Sequence, residues 1–146
     1  MSDPLDPHDL QRFLSAQDGV FDKALAELQA GHKTSHWMWF IFPQLAGLGR
    51  SQIAQFYALN DADEARAYLA HPVLGPRLQT CATALLRWDG RSATDILGSP
   101  DDLKLRSSMT LFAAVAPDNP VFARVLEVFF KGKGDTRTLN MLGMAH

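Results

Sequence analysis

The sequence predicts an all-α, single-domain fold, and three observations carry that expectation. The chain holds 20 Leu and 19 Ala against six Val and three Ile. Helices favour the first pair and strands the β-branched pair. Phe21, Ala24, Leu25 and Leu28 recur at i, i+3, i+4 and i+7, the stripe of an amphipathic helix. Ser, Asp, Asn, Pro and Gly punctuate helix starts and stops along the whole chain. A length of 146 residues suits one compact domain, 1–146 with its core from about 6 to 143, built as a bundle of about seven to nine short helices.

The elements follow in order. Asp6-Pro7 opens a helix to about Gln17, and Asp18-Gly19 breaks it. The Phe21 stripe ends at Gly31. Ser35 caps a short helix through Phe42, stopped by Pro43. In it Trp37, Met38, Trp39, Phe40, Ile41 and Phe42 surround the axis on every side. A helix apolar all round belongs in the middle of a bundle, so this aromatic segment is expected at the centre of the fold. Gln44–Arg50, with Gly47 and Gly49, reads as a loop, followed by helices at Ser51–Ala58, Asp61–Leu69, about Pro76–Trp88 and Ser92–Leu97. Ser99-Pro100-Asp101-Asp102 combines a cap, a first-turn proline and an acidic residue at the capping-box position, and starts a helix to about Ala116. Asn119-Pro120 begins another to Phe130, Lys131–Asp135 is a Gly/Lys turn, and Thr136–Leu142 closes the fold.

Composition excludes several classes of function. Fourteen Lys and Arg against 16 Asp and Glu give a net charge of −2. A nonspecific nucleic-acid binder shows a basic excess, and Lys131, Lys133 and Arg137 form the sole local cluster, so nucleic acid is disfavoured. The lone Cys81 allows no internal disulfide and no Cys-cluster zinc site, and reads as a packed thiol. The five histidines show no metal spacing, so no metal site is assigned. No apolar run exceeds six residues, far below the ~20 needed to span a bilayer, and the first ten residues lack the regions of a secretion signal. The expectation is a cytoplasmic protein with no membrane partner.

Three segments carry candidate chemistry. In His32–Gln44, the aromatic run is either the hub of the core or the wall of a pocket whose mouth bears Lys33 and His36. In Gly47–Ser51, a Gly-rich turn feeds a helix, and Arg50 could add a bidentate contact to an anion. This turn is too short for a P-loop, and no strand precedes it, so no cofactor is assigned. In Asp102–Phe112, Leu105, Met109 and Phe112 form the apolar face, with Arg106, Ser107 and Thr110 across from it and Lys104 and Ser108 flanking Leu111. Either Lys104, Ser107 and Ser108 face a cavity, or Lys104 pairs with Asp101 and the hydroxyls bond back to carbonyls four residues earlier.

Together these strings resemble a bacterial family, the DUF eighteen-ten family. The likeness rests on Lys33…Ser35–Phe40…Phe42-Pro43-Gln44, Gly47–Ser51, Glu64–Leu69, His71–Gly75 and Ser99–Phe112, and spans about Asp6 to Gly143. It implies a small, mainly α-helical domain and no particular activity. Some members bear the label calpastatin, a class of largely disordered inhibitors that this globular composition does not match. A fainter, fold-level likeness is to the NADAR family, linked to NAD, ADP-ribose and N-glycosidic bonds.

Two functional readings follow. The first is a site, enzymatic or not, for an anionic small molecule such as a nucleotide or an ADP-ribose-like ligand. Trp37 or Trp39 would stack a base, Arg50 and Lys104 would neutralise charge, Ser107 and Ser108 would supply hydrogen bonds, and His36 would be the proton carrier, with Lys33 at the entrance and Arg106 among the binding residues. The alternative is a noncatalytic interaction module or homodimer, whose apolar patch would include Leu45, Leu48, Phe129 and Phe130.

Overall fold

The computed structural model describes residues 5–143, and ten helices form among them. They are α1 (Gln11–Gln17), α2 (Phe21–Ala30), α3 (Met38–Ile41), α4 (Gln52–Phe56), α5 (Ala62–Ala70), α6 (Leu74–Leu86), α7 (Ala93–Leu97), α8 (Asp101–Val115), α9 (Pro120–Phe130) and α10 (Thr136–Met141). The all-α expectation holds. Among the described residues the one sheet-like feature is a parallel bridge in which Ala46 N–H donates to Leu59 O (2.8 Å) and Leu59 N–H to Gln44 O (2.9 Å).

Most helices lie close to where the sequence puts them, and side-chain caps fix several of their starts. Ser51, Asp61, Ser92, Asn119 and Asp135 each accept a first-turn N–H through the side chain. Gly31 ends α2 in the left-handed region, φ +73°, and a Cβ there would stand 2.8 Å from the Trp88 ring. Two starts differ from expectation. Asp6 accepts from the N–H groups of Leu10 and Gln11, but residues 6–10 form turns and α1 begins only at Gln11. No side chain caps α8, where the Asp102 N–H is taken by the Gly98 carbonyl at 2.9 Å and Asp102 instead accepts from Thr94.

The centre of the bundle also differs. The aromatic segment makes one helical turn, not a rod from Ser35, because Ser35 is held elsewhere and cannot cap it. Trp37, Met38, Phe40, Ile41 and Phe42 are buried, whereas Trp39 is half-buried. The central element is α8, against which α5, α7, α9 and α10 pack. Its residues Leu105 and Ser107–Phe112 are all buried, so hydroxyls expected across from the apolar face lie inside. The 15-residue length of α8 lets it thread a shell of shorter helices. One continuous hydrophobic cluster runs from Leu10 to Leu126 and includes Phe13, Tyr68, Leu78, Cys81, Phe112 and Phe122.

Buried polar groups fasten this shell. Arg12 donates to the carbonyls of His8, Asp9, Phe56 and Ala58 and to the buried Glu64 carboxylate at 3.1 Å. Gln17, also buried, donates to Phe40 O and accepts from Arg77. No described helix is long and apolar enough to cross a membrane.

Candidate functional site

The loop after α2 is shaped by a residue to which the sequence reading gave no role. Glu27 lies on the buried face of α2, one turn beyond Ala24, and its carboxylate turns toward residues 34–37. Oε1 accepts from Thr34 N (2.8 Å), Ser35 N (3.1 Å) and Trp37 Nε1 (3.0 Å), and Oε2 from Ser35 Oγ (2.6 Å). Burial pushes this carboxyl upward, but the hydrogen bonds outweigh it and hold the pKa at about 2. A second anchor is Lys33 N–H, which donates to Ile96 O at 2.8 Å. The signal was present in the sequence as an acidic residue on an otherwise apolar helix face.

So fixed, the loop presents Lys33 to the first turn of α8. Lys33 Nζ lies 2.8 Å from Asp101 Oδ2, and Lys104 Nζ lies 3.6 Å from Asp101 Oδ1. The three side chains are 7%, 24% and 19% exposed for Lys33, Lys104 and Asp101. Each ammonium also stands over an indole, Lys33 over Trp37 and Lys104 over Trp39, both 5.1 Å from the ring centroid. Two cations thus share the one carboxylate within ion-pair distance of either. The i,i+3 pair of Lys104 with Asp101 is the one the sequence allowed. The approach of Lys33 is a tertiary contact.

Beside this node, Met38, Trp39, Phe42, Gln44, Tyr57 and Lys104 enclose a hollow of about 10 Å³, enough for about one water. Lys33, Trp37, Trp39 and Lys104 therefore come together. Trp37 is fully buried with its N–H on Glu27, so it forms a wall beneath Lys33, while Trp39 is the half-buried indole. His36 is exposed on the same loop. Arg50 is exposed on the loop whose Gln44 and following Ala54 border the hollow, and its carbonyl accepts from Gln55 Nε2.

The rest of the α8 group divides. Ser107 Oγ donates back to Leu103 O at 3.2 Å, and Thr110 Oγ1 to Arg106 O at 2.7 Å. Ser108 Oγ is fully buried and has no hydrogen-bond partner among the described residues. It stands one turn from Lys104 on the same face of α8. Arg106 is drawn away, with Nε donating to Lys133 O at 2.9 Å. Of the apolar patch expected from sequence, Leu45 is buried in the core and Leu48, Phe129 and Phe130 are half-buried. The exposed large apolar side chains include Ile53 and Phe56 of α4, 41% and 58% exposed. A cleft of about 750 Å³ lies between α2, α6 and the end of α8, lined by none of these groups and with Arg87 as its single charged lining residue. Among the described residues no group of His, Cys, Asp and Glu could hold a metal ion.

Comparison with known proteins bears on this arrangement. The crystal structure of the conserved hypothetical protein Rv1873 from Mycobacterium tuberculosis is 48% identical to this chain, with a TM-score of 0.93, over 94% of this chain and 99% of that one. No curated protein matches the chain. Residues 7–142 match the family described as "Protein of unknown function (DUF1810)", and the chain belongs to that family.

Proposed function

We propose that the chain binds a small anionic, partly aromatic ligand, such as a nucleotide or an ADP-ribose-like molecule, at the Lys33–Lys104 node. The observation that carries this reading is the charge count there: two ammonium groups, each over an indole, share the single carboxylate of Asp101. A ligand phosphate pairs with these two ammonium groups. The small hollow has no room for the ligand's ring, which in this reading stacks against the exposed part of the half-buried Trp39 rather than inside the bundle. In this reading His36 is the group that carries a proton, and Arg50 lies exposed on the bordering loop. The fully buried Ser108 hydroxyl, one turn along α8 from Lys104, does not line the hollow and takes no part in this reading. The same reading puts the protein in the cytoplasm, where the thiol of Cys81 stays reduced.

Thermal-shift screening of the full chain against NAD, ADP-ribose and mononucleotides tests this. A ligand at 100 times its Kd adds about 2.7 kcal/mol, a clear rise in Tm. We expect at least one of these to stabilise the chain and Lys104→Met to abolish the effect. No stabilisation by any of them would overturn the reading.

The exposed Ile53 and Phe56 favour a second reading, in which the α4 face meets another protein surface or a second copy. Equilibrium sedimentation that finds only monomer at high concentration would end its homodimer form.

A further inference from the structure

We infer that the cleft between α8 and the Lys131–Thr136 turn is a separate binding site for the phosphate group of a small phosphorylated metabolite. The cleft holds about 380 Å³, at the lower end of the range for small-ligand sites. Arg106, Lys133, Gly134, Thr136 and Asn140 line it. Neither cation has a carboxylate partner among the described residues, and no carboxylate lines the cleft. Asp135 stands next in the chain, but its Oδ2 is engaged by the N–H (2.9 Å) and hydroxyl (2.6 Å) of Thr138.

The walls are fixed before any ligand arrives. Gly132 N–H donates to Leu126 O (2.9 Å), Lys133 N–H to Phe130 O (3.0 Å) and Asp135 N–H to Thr110 Oγ1 (2.8 Å). A Cβ on Gly134 would stand 3.1 Å from Thr110, so glycine lets the turn lie close on α8. The Arg106 guanidinium is held by its Nε bond to Lys133 O and by the Phe130 ring, whose centroid is 5.9 Å away. Its terminal nitrogens have no partner among the described residues and remain free to grip two oxygens at once. A planar fork already held in place loses little freedom on binding, which suits a tetrahedral oxyanion. The Lys133 ammonium, the Thr136 hydroxyl and the Asn140 amide supply further donors around the same space. Two cations and these neutral donors match the charge and valence of a phosphate monoester.

This cleft is distinct from the Lys33–Lys104 node. Lys104 and Arg106 lie two residues apart on α8, about 200° around its axis, so they face different sides. The proposal therefore stands or falls independently of the reading above.

The test is a titration of the full chain with orthophosphate, ribose 5-phosphate and a short single-stranded oligonucleotide, followed by amide and guanidinium NMR. Saturable shifts with ribose 5-phosphate in the low-millimolar range, centred on Gly132, Gly134, Thr136 and Arg106 Nε, are expected. Lys133→Met keeps the backbone carbonyl that Arg106 uses, and should weaken binding about tenfold, as loss of one charge-assisted bond does. Lys104→Met should change nothing here. Absence of saturation, shifts indifferent to Lys133→Met, or shifts that move to Lys33 and Lys104 would overturn the proposal. So would tighter binding of the oligonucleotide than of ribose 5-phosphate with a steep salt dependence, since that marks a polyanion surface.

Discussion

Lys33 and Asp101 meet in a 2.8 Å ion pair whose lysine is almost wholly enclosed, so the loop after α2 is bound by charge to the first turn of α8. Lys104 sits on the other oxygen of the same carboxylate. The two lysines should therefore differ in what they contribute. Lys33→Met removes the shorter, more enclosed contact and should cost about 3 kcal/mol. Lys104→Met leaves Asp101 with Lys33 and should cost less than about 1 kcal/mol, as for other partly exposed pairs. Urea denaturation of both variants and the double variant measures this, and the double variant should lose more than the two single losses added. Equal costs for the two single variants would contradict the assignment of Lys33 as the main partner.

Glu27 should give the fold a specific acid sensitivity. Its folded pKa of about 2 lies below the ordinary 4.5. A lowered folded pKa gives stability that is fully present above about pH 5 and is lost as pH falls through the folded value near 2. The gap between the two values corresponds to roughly 3 kcal/mol. Stability measured by urea between pH 6 and pH 2 should fall accordingly, and Glu27→Gln should both lower stability at neutral pH and flatten this part of the profile. A Glu27→Gln chain with the unaltered profile would show that the carboxylate does not hold the loop.

The tryptophans of the aromatic segment should separate as their burial does. Trp37→Ala empties a fully enclosed site and removes one of the four hydrogen bonds to Glu27, and should cost about 3–5 kcal/mol. Trp39→Phe keeps most of the packing of a half-buried ring and should cost less than about 1.5 kcal/mol. Chemical denaturation with indole fluorescence distinguishes them. A larger loss at Trp39 would restore the segment to the centre of the core, where the residue pattern alone had put it.

Much of the fold was legible because its signals are local. The glycine stop at Gly31 and the Asn119-Pro120 start depend on neighbours within one turn and formed as read, and the helices near Ser51, Asp61, Ser92 and Thr136 lie where expected, whereas the helix caps read at Asp6, Ser35 and Ser99 did not form. The failures at the centre of the bundle were tertiary. Ser35 has the right chemistry to cap the aromatic helix, but the carboxylate of Glu27 takes its hydroxyl and leaves α3 one turn long. The centrality of α8 was hidden by its hydroxyls, because Ser107 and Thr110 satisfy themselves on their own helix and so can be buried. At the site, Lys104–Asp101 could be read from spacing, whereas Lys33 joins them only through folding. Lys104 and Arg106 looked alike as neighbouring cations, and the turn of the helix sends them to separate sides.

The central claim is that the two ammonium groups of the Lys33–Lys104 node recruit an anion against Trp39. Its most direct measurement is calorimetric titration of ADP-ribose into the full chain and into Lys104→Met and Trp39→Phe. The account predicts saturable binding to the unaltered chain, at least about tenfold weaker in Lys104→Met, the loss expected from one charge-assisted contact, and weakened in Trp39→Phe. Binding of equal strength in all three chains would contradict it.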